Sequence, residues 1–556
     1  MAETPGKDAG GDRGPSTPTT KAQVQAYRFV LRRMQSALVR KDPILMHDPM
    51  RTHVRATVVG VCVAALGVLV FLIWGILAPK AGKPENGDIV VGKQSGQLYV
   101  VMEEQGRKVL VPTFNLASAR LLLLAQAEKQ SNESSPGGGG GGATTKVDAK
   151  DPKAVEDSSL ADIPKLRKTG LVDGPTLLPK DDQRPSDNWA VCDKFIIDPT
   201  LRPEARPQNY ETAVLAGVST MGTELPEDKW LLVRADNNKT YLVYRKPLDQ
   251  NQLFPSATAV RAEVNLSNPA VLGGLHLDAQ EIARPRRITT GMLNAIPEVP
   301  ALVPPKARGA DQQATSPMNN MAAGTVFRVQ QAGGEFRYYV AHSDGIEEIR
   351  QSTAELIRNA GSKASDMPTI PPSSMSSVSN RPDHIDDRAF PEKSDAGVLS
   401  QDEEPVACLS WSLQDNKPST RVHVGKEVPG VPKNGKNEEM WVKVTTPSAD
   451  GQKINYFYMQ PGKAAVVRGS TSDKDMKVGP ISLISDTGVK FGVPDGTVAQ
   501  ALGLEKQQPA PYEIIKLLPD GAASLNTRDV QQSFDTVPVQ GGVFPTQPPA
   551  GQNGGK

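Results

Sequence analysis

The sequence predicts an α+β protein that is mainly β. One transmembrane helix leads into an elongated extracytoplasmic body of small β-hairpin/helix repeat modules around a central β domain. Three observations predict this: an uncharged run from Ala56 to Ala78, a strand–turn–strand–helix pattern that recurs four times, and two cysteines, Cys192 and Cys408, far apart in the body. The length of 556 residues corresponds to about three to five domain-sized units. Hydrophobic residues make up 38% and charged residues 22%, enough to build cores along most of the chain. The net charge of +1 removes any overall electrostatic argument for nucleic acid.

Residues 1–55 form a cytoplasmic N-terminal segment. It carries ten Lys/Arg against five Asp/Glu. Thr20 can cap a helix over about 21–41, and Val24, Tyr27, Leu31, Met34 and Leu38 follow a 3-4-3-4 spacing that lines one face. Arg28, Arg32, Arg33, Arg40 and Lys41 occupy the other sides. Such a helix cannot bury its stripe alone, so it docks on a partner, lies on anionic lipid, or folds only on assembly. Asp42-Pro43 and Asp48-Pro49 then break the helix.

Residues 56–78 are the transmembrane helix. At about 1.5 Å per residue the run reaches ~34 Å, enough for a ~30 Å hydrocarbon core. A buried core helix is rarely apolar all round for so long, and a signal peptide starts nearer the N-terminus with a shorter core. Close to the helix the Lys/Arg counts are similar on both sides, and over a wider window the N-terminal side leads, which favours a cytoplasmic N-terminus. Ala56, Gly60 and Ala64 recur every fourth residue, a small-residue stripe where another helix can approach.

In the body, residues 88–125 read as a first module: Gln97–Val101, a turn over Glu103–Arg107, Lys108–Val111 and a helix from Asn115 to Leu124. Residues 126–185 include a glycine run and read as a flexible linker. A second module, 223–297, holds a hairpin from Trp230 to Val243 around the turn pair Asn237-Asn238. A linker at 298–320 leads to the third module, 321–361, with Thr325–Val329, a Gly333-Gly334 turn, Phe336–Val340, Ile346–Ile349 and a helix from Thr353 to Ala360. Another linker spans 362–404. The fourth module, 440–530, has strands near Met440–Val444, Ile454–Met459, Ala465–Val467, Ile481–Ser485 and Val489–Val493, then a helix around Thr497–Leu502. Residues 186–222 and 405–439 are two parts of the central domain, and 531–556 form a disordered tail.

Of three cysteines, Cys62 lies in the span. Cys192 and Cys408 suggest a bridge in an oxidising compartment, and two separate buried thiols are the alternative. Closing that loop would stabilise the fold by roughly 5 kcal/mol at most.

No catalytic arrangement stands out. The Gly-Lys pairs at Gly82, Gly92, Gly425, Gly435 and Gly462 are never followed by Ser or Thr, so no phosphate-cradling loop forms. H-E-x-x-H, zinc-spaced Cys/His and G-x-S-x-G are missing. No cofactor and no metal is expected. The six histidines read as surface or packing residues.

Several stretches resemble the EccB family, single-span membrane components of type VII (ESX) secretion systems. They are Gln23–Leu38 followed by Arg40–Met50, Ser95–Val100 with Pro112–Leu121, Trp189–Asp193 (WAVCD), Cys408–Trp411 (CLSW), Met292–Pro297, Phe336–Ile349 and Asp486–Leu504. The resemblance implies a structural core component of the secretion complex in the inner membrane, scaffolding the channel. It implies EccC, EccD and EccE subunits and a mycosin protease as partners, self-association, and a periplasmic body. Peptidoglycan binding by the modules is one alternative it carries. Atypical ATP hydrolysis is another, since some relatives bear that label, and the missing phosphate loop speaks against it.

Overall fold

The computed structural model describes residues 20–40, 49–77, 84–133, 147–207, 209–246, 257–361, 366–382, 384–471, 476, 478–522 and 524–534. The chain divides into two compact units, residues 1–83 and 84–556.

The first unit holds two helices, Lys21–Arg40 and Pro49–Leu77. Thr20 starts the first with a capping box. The Gln23 N–H donates to Thr20 Oγ1, and the Gln23 side chain accepts from the Thr20 N–H at 2.8 Å. The second helix begins at Pro49 rather than Ala56, because proline suits the first helical position, where its missing N–H costs nothing. Its stretch His53–Trp74 is long and apolar enough to cross a membrane, and none of it is buried.

The second unit starts at Pro84. Its first sheet is a meander of Ile89–Gly92, Leu98–Glu104 and Arg107–Pro112, followed by the helix Leu116–Glu133. The chain then returns, and Lys153–Val155 lies parallel to the opening strand, pairing Val90 with Lys153. The same order recurs with Val326–Gln330, Phe336–His342, Gly345–Ile349, the helix Gln351–Ala360 and the returning Thr369–Ile370. It recurs again with Ala464–Ser470, Ile481–Ser485, Lys490–Val493, the helix Gly496–Leu502 and the returning Gln508–Pro511. In the second sheet, Lys229–Arg234, Thr240–Arg245 and Ala259–Glu263 are joined by Arg286–Arg287, again parallel to the opening strand. Glu298–Val299 and Gly397–Val398 extend this sheet.

Short strands correct three linker expectations: Lys153–Val155 lies in 126–185, Glu298–Val299 in 298–320 and Thr369–Ile370 in 362–404. Described residues of 126–185, 298–320 and 362–404 complete sheets instead of running free. The opening strand of each sheet has an unpaired edge, and the returning strand satisfies its N–H and C=O groups. The same segments bury Val155, Leu160 and Leu171, then Leu302 and Met318, then Ile385 and Phe390. The glycine run at 137–142 lies outside the described residues.

A seven-stranded sheet takes residues from both cysteine regions. Its order is Val442–Lys443, Tyr456–Tyr458, Tyr210–Ala216, Trp189–Phe195, Val406–Gln414, Lys417–Gly425 and Thr223–Glu224. The first two strands were expected in the 440–530 module. They belong here because Phe457, fully buried, packs in the core of Trp189, Val214 and Leu409. Thr223–Glu224, expected at the start of the second module, pairs at the opposite edge with His423 and Val424. Ser533–Phe534 pairs with Lys168–Thr169, so the expected tail starts later than 531, and 535–556 lies outside the described residues.

Two pairs of sheets are joined helix to helix. Leu121 and Leu124 of the first sheet's helix share a core with Val498 and Leu502 of the last. Arg120, buried at the same contact, donates from Nη1 to the Leu502 carbonyl at 2.6 Å and from Nε to the Lys150 carbonyl at 3.0 Å. The helix Pro269–Gly274 packs on Gln351–Ala360, where Leu356 meets Val271 and Leu275. A Cβ at Gly274 would stand 2.7 Å from Leu356 Cα, a backbone atom that cannot move aside. Gly274→Ala is therefore expected to cost about 1–3 kcal/mol by overpacking, read as a lower urea midpoint at unchanged m. Gly333→Ala, with nothing within 4 Å of the added methyl, is the matched control expected to stay near wild type.

Candidate functional site

On the first helix, Val24, Tyr27, Leu31, Met34 and Leu38 are all exposed, Tyr27 by 67% and Leu38 by 82%. Val30 and Val39 are exposed as well and widen the apolar face beyond what the heptad-like spacing picked out. The His53 ring, in the first turns of the apolar helix, donates from Nε2 to Gln25 Oε1 at 2.9 Å, which holds the two helices together. Ala56, Gly60 and Ala64 lie on one side of the apolar helix and are exposed. The space around Gly60 is open to 4 Å among the described residues. Cys62 is exposed on the same helix.

In the second unit, Cys192 and Cys408 form a disulfide. They sit directly opposite each other in neighbouring antiparallel strands, with Cα atoms 4.0 Å apart and a sequence separation of 216. Both are buried, against Leu215, Val406, Val428 and Val431.

Beside the bridge lies a polar joint that the sequence did not disclose. Asp193 follows Cys192 in the strand and points to the other face. Its carboxylate accepts from Thr212 Oγ1 at 2.7 Å, from the Thr289 N–H at 2.8 Å and from Thr289 Oγ1 at 3.1 Å. Burial outweighs these bonds and pushes its pKa up to about 6. Arg286 is buried nearby and donates to the carbonyls of Pro405 and Glu404. Burial lowers its pKa to about 10. Arg286 and Thr289 come from the end of the second sheet, so this joint fastens that sheet to the central one. The only signal in sequence was an acid that follows the apolar run Trp189–Cys192 within one strand.

A second buried polar group lies in the third sheet. His342 Nε2 donates to Glu347 Oε2 at 2.9 Å, and its Nδ1 accepts from the Arg308 N–H at 3.0 Å. Glu347 also accepts from the N–H groups of His384 and Ile385. Every polar atom of this ring is spent on holding the 308 and 384 segments, which is a structural use. Ser410 Oγ and His423 Nε2 are 2.8 Å apart, and burial lowers the pKa of His423. Among the described residues no carboxylate orients that ring, so the pair lacks what an activated serine needs. No group of three or more His, Cys, Asp or Glu among the described residues is arranged to hold a metal ion.

An apolar helix, an amphipathic helix bonded to it and a disulfide-tied β body can now be set beside known proteins. The family model described as "Type VII secretion system ESX-1, transport TM domain B", EccB, matches residues 16–539. The chain belongs to the EccB family. Among EccB proteins, it is 28% identical to ESX-1 secretion system ATPase EccB1 of Mycobacterium tuberculosis H37Rv, over 96% of this chain and 98% of that protein. It is 27% identical to ESX-5 secretion system ATPase EccB5 of Mycobacterium marinum, over 94% of each chain. The fold is similar to a chain in the intact ESX-5 inner membrane complex, with a TM-score of 0.61 at 23% identity, over 97% of this chain and 99% of that one. It is also similar to the EccB3 dimer from the ESX-3 core complex, with a TM-score of 0.61 at 22% identity, over 80% of this chain and all of that one.

Proposed function

We propose that this EccB protein is a structural component of a type VII secretion complex in the inner membrane, holding the assembly together across the bilayer. The observation that carries this is the exposed apolar face of Lys21–Arg40, bonded at Gln25 to a helix fit to cross the membrane and followed by a covalently tied body. In this reading the N-terminus is cytoplasmic, and Val24, Tyr27, Leu31, Met34 and Leu38 dock on other subunits of the EccC, EccD and EccE type. Ala56, Gly60 and Ala64 receive a neighbouring helix within the bilayer. The body is periplasmic, its four like-ordered sheets are copies of one module, and it meets further copies of itself and a mycosin protease. Support comes from family membership and from neighbours whose structures are an inner membrane complex and a dimer.

The test replaces Tyr27 and Leu31 together with Asp in the full chain, expressed with the other subunits of its own complex. The expected result is loss of full-size complexes on native gels while the chain stays membrane-inserted with its disulfide intact. Full-size complexes at wild-type yield would refute docking through this face.

A second reading, nucleotide hydrolysis, is favoured by the names of the EccB relatives. Against it, the sequence offers no phosphate-cradling loop. Turnover that persists through rigorous purification and is abolished by a single substitution in the body would establish it.

A further inference from the structure

A cleft of about 370 Å³ opens where the central sheet meets the last four-stranded sheet. That size lies in the range of small-molecule sites. Two glycines in its lining sit close against neighbouring side chains. A Cβ at Gly430 (φ 68°) would stand 2.1 Å from Val218 Cγ1, and one at Gly217 (φ 75°) would stand 2.8 Å from Pro185 Cβ. A side chain at either glycine would be crowded by these neighbours and strained by the positive φ.

Polar side chains converge on the space: Ser186, Ser219, Thr220, Tyr458, Gln460 and Lys463. Lys463 is the sole charged residue in the lining, and no Asp or Glu contributes to it. Its Nζ donates to the Arg184 carbonyl at 3.1 Å, and it makes no ion pair among the described residues. An ammonium group has three donors, so two remain for a ligand. The Asp486 carboxylate, in the turn beside Gly462, accepts from the Gly462 N–H at 3.0 Å. The cleft therefore presents one cation without a carboxylate, ringed by hydroxyl and amide groups.

The geometry points to a binding site for a small hydroxylated anion, carrying a carboxylate or a phosphate. Lys463 neutralises the charge, and the Ser, Thr and Gln side chains exchange hydrogen bonds with the ligand hydroxyls. Charge-assisted bonds are about twice as strong as neutral ones, so the lysine dominates selection. This goes beyond the assembly role and does not depend on it.

The test uses the full chain in detergent and saturation-transfer NMR with three probes: glucuronate, glucose 1-phosphate and neutral glucose. At least one anion is expected to bind ten-fold or more tightly than glucose. Lys463→Gln, which removes the charge and keeps an N–H donor, is expected to remove that preference at unchanged Tm, and Lys463→Arg to restore most of it. Preference for glucuronate alone or for the phosphate alone supports the site and names the group it takes. Absence of transfer from all three probes, equal transfer from all three, or anion binding indifferent to Lys463→Gln overturns the assignment.

Discussion

Replacing Cys192 and Cys408 together with alanine lowers the stability of the body by up to about 5 kcal/mol, the ceiling of the chain-entropy account for a long closed loop. The loop spans 216 residues and takes in the second and third sheets entire. Alanine suits the site because both sulfurs are buried among apolar side chains, where a serine hydroxyl would lack a partner. Denaturant titration of wild type and variant, both without reductant, reads the loss. The slope m should also rise, since an uncrosslinked denatured chain exposes more surface. In the wild-type protein neither cysteine takes a thiol label until reductant is added. A loss below about 1 kcal/mol would mean that strand pairing and the joint at Asp193 already hold the central sheet without the bridge.

Asp193 makes stability depend on pH in a definite direction. Its carboxyl rises from the ordinary 3.8 to about 6 on folding. Below about pH 4 it is protonated in both states, and its favourable contribution is complete. As pH climbs toward 6 the unfolded chain sheds the proton first, and that contribution is lost. A rise of about two units corresponds to roughly 3 kcal/mol. Other carboxylates add their own slopes, so the quantity to measure is the difference between wild type and Asp193→Asn from pH 4 to 7. Wild type is expected to lose about 3 kcal/mol relative to the variant over that range. Parallel curves would show that Asp193 stays charged in the folded joint.

Much of the β architecture was legible because hairpins announce themselves through their turns. Asn237-Asn238 works as a turn since Asn238 sits at φ 62°, a region asparagine tolerates. The apolar helix was legible from length and charge alone. The returning strands were not: Lys153–Val155, Thr369–Ile370 and Arg286–Arg287 are two or three residues long, too short for any alternation to show. Met440–Val444 and Ile454–Met459 were correctly strand-like but joined to the wrong sheet, because periodicity fixes a strand's face and not its neighbour. Val24, Tyr27, Leu31, Met34 and Leu38 could be read as one face from spacing. The Lys463 cleft and the Asp193 joint could not, since each gathers residues from distant segments that only the folded chain brings within reach.

The bond from Arg120 to the Leu502 carbonyl crosses 382 positions of sequence. Translation delivers those positions in order. When the first sheet is complete, Leu121 and Leu124 are already waiting for a surface that does not yet exist, and most of the protein must still be made before Val498 and Leu502 arrive. Contacts of such long range form late, and the apolar face they cover stays open in the meantime. The last sheet thus acts as a completion check on the first: a nascent chain that stops short of residue 502 leaves greasy surface near its beginning, where chaperones and proteases can find it.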